Sequence, residues 1–424
     1  MPRSIRCSLV DSFQFVPLLF AVSLPCHSQE VVCSAGFGSF DAASTTGVAV
    51  SVGAFKRDDL ARRTCQAKLR WDRSDLVLAP QAWQIDVDLM NVDLGFRSPV
   101  VALQIKKSDV DPLMTYEIYS LSKPPRMLRT ITGGDFFRAA DTNLDGQIEI
   151  WTRDASVVNG FEGIPLNAFD FPPAIALRFE DRRLIDVSSE FPSQYDRQIA
   201  VLRAQLDPAD LTRFKQSNGK LSSPSPVSFQ ELRSLQSTKI KVLELVWSYL
   251  YSGREQEAWS TLAGLWPAGD LDRIRAAILK ARERGIRTQV DGVSSETAPS
   301  HRKKKVMIYD PLTRTVPANG GPDQAFNVTG GPDDKMKDFQ IDAQPRPIFF
   351  RRPPPAADAP ASALSTEVVV DMVIDSAGKV WSIKTEGKPD KDLVDASADW
   401  RFVPGMKDGH PVASRLRLGV RPFQ

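Results

Sequence analysis

A short acidic segment near residue 145 carries the residue types and the spacing that calcium chemistry requires. Its oxygen donors alternate along the chain, and they are Asp141, Asn143, Asp145, the main-chain carbonyl of Gln147 and the carboxylate of Glu149. Alternation turns each oxygen towards a common centre, and Gly146 permits the sharp turn that such a loop makes. The segment therefore predicts a Ca²⁺ site. An Asx-rich hairpin turn that holds no metal is the alternative.

The residues around this segment indicate strands rather than the helices of an EF-hand. An EF-hand loop also needs a bidentate glutamate at its twelfth position, where this chain has Thr152. Residues 136–140 and 148–151 instead predict the two strands of a hairpin. The arrangement resembles the calcium-binding β-hairpin loops of FG-GAP or integrin-type propeller blades. Because the motif occurs once, it implies one calcium hairpin and not a whole propeller.

The composition argues against an enzyme and against a nucleic-acid partner. The chain has 54 Lys and Arg against 52 Asp and Glu, so its charge is nearly balanced. Histidine-based hydrolase and metal sites would have to use the three histidines, which are His27, His301 and His410. The GxSxG, Walker, GxGxxG, HExxH and CxxC motifs are all missing from the sequence. Carboxylates are plentiful, but no pair stands out as the acid pair of a glycosidase.

The N-terminus predicts export. Basic Arg3 and Arg6 precede the apolar run 13–24, and polar residues follow Ser28, which is the layout of a signal peptide over residues 1–28. We expect a periplasmic or secreted protein. An uncleaved segment that anchors the chain in the inner membrane is the second choice, because the run is short for a span of about 20 residues. Lipidation at Cys26 is a third.

Export makes a disulfide the simplest state of the two cysteines that remain in the mature chain. Cys33 and Cys65 would close a loop of about 30 residues, which contributes on the order of 3 kcal/mol to stability. Two buried thiols are the alternative. Neither cysteine has a histidine nearby in the sequence, which argues against a nucleophile.

The hydrophobic pattern predicts a multidomain protein. Residues 29–195 contain short alternating or β-branched runs separated by turn signals, and they predict a β-rich domain; the runs are 83–87, 100–105, 114–119, 127–131, 148–152 and 175–179. Residues 196–287 change to a helical period, with the strongest helix expected over 228–252. Ser228 and Glu231 form a capping-box signature at its start, and Gly253 suits its end. Residues 288–362 are rich in Pro and Gly and predict a disordered linker.

The last 62 residues, 363–424, predict a small α+β domain. A strand pair ending in I-D-x-x-G-x-V, a helix leading into W-x-F-x-P, and D-G-x-P-V before a final strand resemble the TonB C-terminal domain family. The matching positions are Ile374, Asp375, Gly378, Val380, Leu393, Ala396, Trp400, Phe402, Pro404, Gly409, Pro411, Val412 and Phe423. On their own chemistry, four of these determine the fold: Gly378 serves a turn, Trp400 and Phe402 plug the helix onto the sheet, and Pro404 stops the helix.

The resemblance implies a function in binding. Members of this family recruit a periplasmic or outer-membrane protein segment onto a sheet edge through main-chain hydrogen bonds, in support of transport. Here the edge would be the last strand, with Arg415, Leu416, Arg417 and Leu418 as the partner-binding residues. We expect a non-enzymatic periplasmic binding protein. A secreted, calcium-stabilised surface or adhesion protein is the alternative.

Overall fold

The computed structural model describes residues 32–55, 63–221, 228–294, 341–350, 368–385 and 391–420. The predicted signal peptide lies outside these residues. So do 295–340 and 351–367, which include most of the predicted linker and the first five residues of the predicted C-terminal domain, and Phe423 at the C-terminus.

The first sheet has four antiparallel strands, none of which is among the six runs singled out above. In spatial order they are β2 (Phe40–Ala43), β3 (Ala49–Phe55), β4 (Thr64–Trp71) and β5 (Ser74–Ala82). Val50 and Val52 of β3 and Ala67 and Leu69 of β4 are buried and alternate with more exposed residues. The sheet therefore has one face on the core and one face towards solvent.

The second sheet has nine strands. They lie side by side in the order in which they occur along the chain, and β6 follows β1 because β2 to β5 belong to the first sheet. Its strands are β1 (Cys33–Ser34), β6 (Gln84–Val92), β7 (Val100–Lys106), β8 (Met114–Ser120), β9 (Arg126–Ala140), β10 (Glu149–Asp154), β11 (Ala174–Glu180), β12 (Arg183–Asp186) and β13 (Gly292–Val293). Neighbours are antiparallel, but β12 and β13 are parallel. Almost every residue of β6 and β7 is buried, as expected for strands covered on both faces.

The two sheets form a β-sandwich with a common core. Val50, Leu69, Val87 and Leu103 belong to one buried cluster that draws side chains from both sheets. A disulfide between Cys33 on β1 and Cys65 on β4 ties the sheets together, which confirms the predicted pairing.

The helical region packs on the nine-stranded sheet. Its helices are α1 (Ala155–Val158), α2 (Pro192–Ala204), α3 (Pro208–Lys215), α4 (Phe229–Tyr251), α5 (Glu255–Leu265) and α6 (Leu271–Arg282). The predicted start of α4 is confirmed, because the Ser228 side chain accepts a hydrogen bond from the main-chain N–H of Glu231 at 3.2 Å. Trp247 of α4 and Leu177 of β11 lie in the same core cluster. The helices and the sheet thus share one core across the predicted boundary at residue 195.

The C-terminal module, residues 368–420, contains a three-stranded sheet and one helix. Its elements, with the strand β14 (Arg346–Phe349) that joins it, are β15 (Val368–Ile374), β16 (Val380–Thr385), α7 (Lys391–Ser397), β17 (Arg401–Val403), β18 (Gly405–Lys407), β19 (His410–Val412) and β20 (Ser414–Val420). Strand order in the sheet is β16-β15-β20, while β14 pairs with β17 and β18 with β19. Strand β14 lies inside the range for which the sequence predicts a linker.

The described residues, from 32 to 420 with the gaps given above, belong to a single compact unit. None of the helices in the described ranges is both long enough and apolar enough to cross a membrane.

Candidate functional site

The acidic loop, residues 141–148, joins β9 to β10 as the sequence predicts, and Glu149 is the first residue of β10. The two oxygens of Asp141 accept hydrogen bonds from the main-chain N–H groups of Asp145 at 3.0 Å and Gly146 at 2.9 Å. Gly146 has a φ of +80°, which a glycine adopts without strain. Asn143 and Asp145 close the turn further, since Asn143 Nδ2 donates to Asp145 Oδ2 at 3.2 Å and Asp145 Oδ1 accepts from the N–H of Gln147 at 2.9 Å.

Glu149, the fifth predicted calcium ligand, belongs to a different group of side chains. It is fully buried, and its Oε2 accepts a hydrogen bond from Thr142 Oγ1 at 2.9 Å. Its Oε1 lies 3.7 Å from the guanidinium of Arg178, which also pairs with Glu180 and Glu190. A cation already faces this carboxylate, so Glu149 does not fit the ligand set. Among the described residues, no cluster of three or more His, Cys, Asp or Glu side chains suits a metal ion. Calcium binding by Asp141, Asn143 and Asp145 stays a prediction.

The acidic loop contacts the C-terminal module. The main-chain N–H of Asp141 donates to Asp375 Oδ2 at 3.0 Å, and Ser376 Oγ donates to Asp141 Oδ2 at 2.9 Å. Burial raises the pKa of Asp141 to about 6, although the Ser376 hydroxyl opposes this rise. Burial, with the nearby charge of Asp141, raises the pKa of Asp375 to about 7.

The residues that were predicted to determine the fold of the module are buried within it. Gly378 has a φ of +78°, and a Cβ there would lie 1.8 Å from the carbonyl oxygen of Phe402, so only glycine fits this turn. Trp400 and Phe402 lie in the module core. The ring of Phe350, from the predicted linker, packs on Trp400 with centroids 4.3 Å apart.

The predicted role of Pro404 in ending the helix is wrong. Helix α7 ends at Ser397, and strand β17 intervenes before the proline. Trp400 and Phe402 are buried, and Phe402 lies opposite Pro347 in the pairing of β17 with β14. The chain here is therefore extended where the sequence suggested a longer helix.

All four predicted partner-binding residues lie on β20. This strand pairs with β15 over seven residues in unbroken antiparallel register, from Val368 opposite Val420 to Ile374 opposite Ser414. In the described part of the chain, no strand pairs with the other side of β20. Arg415 and Arg417 are exposed and alternate with half-buried Leu416 and Leu418. Arg415 Nε also donates to Asp371 Oδ1 at 2.7 Å.

A second set of charges, not predicted from the sequence, is buried between the module and the sandwich. Lys379 Nζ lies 2.6 Å from Asp88 Oδ1, with side-chain exposures of 1% and 2%. Arg401 donates to Asp86 Oδ2, and both side chains are buried. Burial lowers the pKa of Lys379 and raises that of Asp86. The hydroxyl of Tyr116 donates to the other oxygen of Asp88 at 2.7 Å.

Comparison of the chain with protein-family models, with curated proteins and with solved structures finds no match. The resemblance to the TonB C-terminal domain thus rests on the motif residues.

Proposed function

We propose that this chain is an exported, non-enzymatic binding protein. Its C-terminal module, by its resemblance to the TonB C-terminal domain, would accept an extended segment of a periplasmic or outer-membrane protein beside β20. The Cys33–Cys65 disulfide supports export, because such bonds persist in oxidising compartments.

The observation that carries this proposal is the one-sided pairing of β20. In an antiparallel ladder, alternate residues direct both main-chain polar groups to one side. In every second residue of β20, the main-chain N–H and C=O groups therefore point away from β15, where an added strand can bond to them. None of the described strands occupies that side. Strand addition uses such main-chain groups for affinity and alternating side chains for specificity.

The side chains of β20 define the partner's chemistry. Arg417 and Arg415 are exposed on one face of the strand, so acids on that face of the partner would find cations opposite them. The other face carries Leu416 and Leu418, which pack on the edge of the module core. We therefore expect a partner segment that alternates acidic and apolar residues.

A labelled synthetic peptide tests the proposal on the full chain. The probe is a nine-residue peptide that alternates glutamate with valine, and its binding is followed by fluorescence anisotropy. We expect saturable binding that weakens as salt is raised, because exposed charges are screened. The control is the same sequence N-methylated at every residue, which cannot donate main-chain hydrogen bonds. Equal binding of both peptides would contradict strand addition.

Two neighbouring proline substitutions locate the binding edge. Because N–H groups alternate along β20, one of Arg417 and Leu418 donates to the outer side and the other to β15. Of Arg417→Pro and Leu418→Pro, one should destabilise the module, and the other should leave it folded but bind the peptide about tenfold more weakly. A folded variant with undiminished binding, alongside a destabilised one, would place the peptide elsewhere.

A secreted, calcium-stabilised surface protein is the second candidate. It rests on the convergence of Asp141, Asn143 and Asp145 in the acidic loop. A calcium titration, described in the Discussion, tests it separately.

A further inference from the structure

Strand β6 of the sandwich carries two buried carboxylates whose cations come from the far end of the chain. Asp86 and Asp88 are two positions apart and both are buried, and the pairing of β6 with β7 has a register shift at Asp88, between Val87 and Leu89. Lys379 pairs with Asp88, and Arg401 pairs with Asp86. A buried carboxylate without a compensating charge is strongly destabilising. The sandwich thus holds two carboxylates that the module completes.

The acidic loop adds hydrogen bonds to the same surface. Asp141 exchanges two of them with the module, one to the Asp375 carboxylate and one from the Ser376 hydroxyl. Arg138, near the end of β9, donates to the carbonyl oxygen of Ala398. Side chains of Ala140 and Leu144 lie in the apolar core of the module itself. The loop and the end of β9 therefore contribute both polar and apolar contacts.

Strands β14 and β17 extend the contact to the core of the sandwich. Val403 of β17 belongs to the buried cluster between the two sheets, and Ile348 and Phe349 of β14 pack against that cluster. The guanidinium of Arg401 lies over the ring of Phe349, 4.8 Å from its centroid. The charged pairs thus lie beside apolar contacts, as in a permanent interface.

We infer that the surface formed by Asp86, Asp88 and the acidic loop is a binding site for the C-terminal module of the same chain. The module then works as a docked part of the protein and presents β20 from a fixed position, rather than at the end of a spacer. This inference goes beyond the proposed function and does not depend on it, since it concerns contacts within the chain. It also gives the acidic loop a role that needs no metal.

The occupant of this site is the chain's own module rather than that of a second copy. The structure seats the module on the sandwich of its own chain, in one compact unit. The 46 residues from 295 to 340 can span on the order of 150 Å when extended, so the connection permits docking within one chain. Exchange of modules between two copies is the competing outcome, and it would produce a dimer.

Cutting the connection tests the inference on the full chain. A recognition sequence for a site-specific protease is placed within 300–330, the purified protein is cut, and its mass is measured by size-exclusion chromatography with light scattering. We expect the two fragments to stay together at the mass of one uncut chain. Fragments that elute apart, or a cut or uncut chain that elutes as a dimer, would overturn the inference.

Charge variants then test which contacts hold the fragments together. Lys379→Met should weaken their association by about 100-fold or more, because Asp88 stays buried without its cation. The double variant Lys379→Met/Asp88→Asn should recover much of the lost affinity, because it leaves no buried charge without a partner at this position. Lys384→Met is the matched control, because Lys384 lies in β16 but is exposed, and it should change nothing.

If a charge variant folds poorly, the cut protein with its natural side chains still tests whether the module is docked. Tryptophan fluorescence of each uncut variant shows whether it is folded before the cut. Unchanged association in a folded Lys379→Met protein would contradict the assigned site.

Discussion

The C-terminal module pairs cations with carboxylates in two places, against the sandwich and on its own β15–β20 ladder, and the pairs in the two places differ in burial. Lys379 and Asp88 are 1% and 2% exposed, whereas Arg415 and Asp371 on the β15–β20 ladder are 38% and 11% exposed. Removing one member of a buried pair costs about 3–5 kcal/mol, while an exposed pair contributes about 0.2–1 kcal/mol. The first pair can therefore fix the module in place. The second is weak enough to be exchanged for an acid of a partner strand.

The largest expected effect comes from the hydrophobic core of the C-terminal module. Trp400 is fully buried in the module, against Phe350 and beside α7. Trp400→Ala should lower the free energy of unfolding by about 3–5 kcal/mol, measured by urea denaturation of the full chain. Phe229→Ala, at a side chain that is 76% exposed, is the control and should change it by less than about 0.5 kcal/mol. Similar losses in both variants would contradict the packing described for the module.

Matched substitutions at Lys379 and Arg415 measure how much each pair stabilises the fold. Lys379→Met should lower the free energy of unfolding by about 3 kcal/mol or more, because Asp88 is left buried and charged. Arg415→Met should lower it by less than about 1 kcal/mol. Chemical denaturation of both variants under the same conditions gives the difference. Equal losses would remove the distinction between a docking side and a binding side.

Part of the pH dependence of stability comes from a buried carboxyl outside the module, which is Glu244. Burial raises the pKa of Glu244, on α4, from 4.5 to about 7. Below pH 4.5 the group is protonated in both the folded and the unfolded state, so it adds nothing. Between 4.5 and 7 the unfolded state releases its proton while the folded state keeps it, so the free energy of unfolding falls as pH rises.

Glu244→Gln should therefore flatten the dependence of stability on pH in this window, by up to about 3 kcal/mol between its two ends. Denaturation at several pH values from 4 to 8 measures the slopes. A slope that remains in the variant includes the contributions of Asp141 and Asp375 at the docking side, whose pKa values burial raises to about 6 and about 7. Identical slopes in the two proteins would show that Glu244 titrates normally.

The smallest expected effect concerns the acidic loop. If Asp141, Asn143 and Asp145 hold calcium, millimolar CaCl₂ should raise the melting temperature in a concentration-dependent way, through mass action. The rise should be small, because Glu149 faces Arg178 and is not available to complete the site. Asp145→Ala should abolish it. A melting temperature that is the same in calcium and in chelator would contradict the calcium hypothesis.

Local patterns were enough to predict many of the elements. The runs 100–105 and 114–119 became β7 and β8 with a change of one residue at the C-terminal end, since alternation and β-branched residues mark such strands. Helix α4 followed from its period and its Ser228 cap. Strands β3 and β4 were missed, although they alternate, because small and polar residues make up much of each run.

The docking contacts could not be predicted from local patterns. Asp86 and Asp88 read as ordinary polar positions of a strand, and their partners lie about 300 residues away. The surroundings of Glu149 could not be predicted from local patterns either. Its position fits the spacing of a calcium loop, but its side chain faces Arg178 on the neighbouring strand β11. Strand β14 was not predicted, because the residues around it are rich in proline. It pairs with β17, and the neighbouring Phe350 packs on the buried rings of Trp400 and Phe402.

Hydrogen exchange of the full chain, with and without the glutamate–valine peptide, measures the docking of the module and the binding of a partner at β20 in one experiment. Amides of the turn 375–379 should exchange slowly in both samples, because this turn is buried against the sandwich. Alternate amides of β20 should exchange quickly in the free protein and slowly once the peptide is bound. Rapid exchange in the turn, or β20 amides that the saturating peptide leaves unprotected, would contradict a docked module that binds its partner along β20.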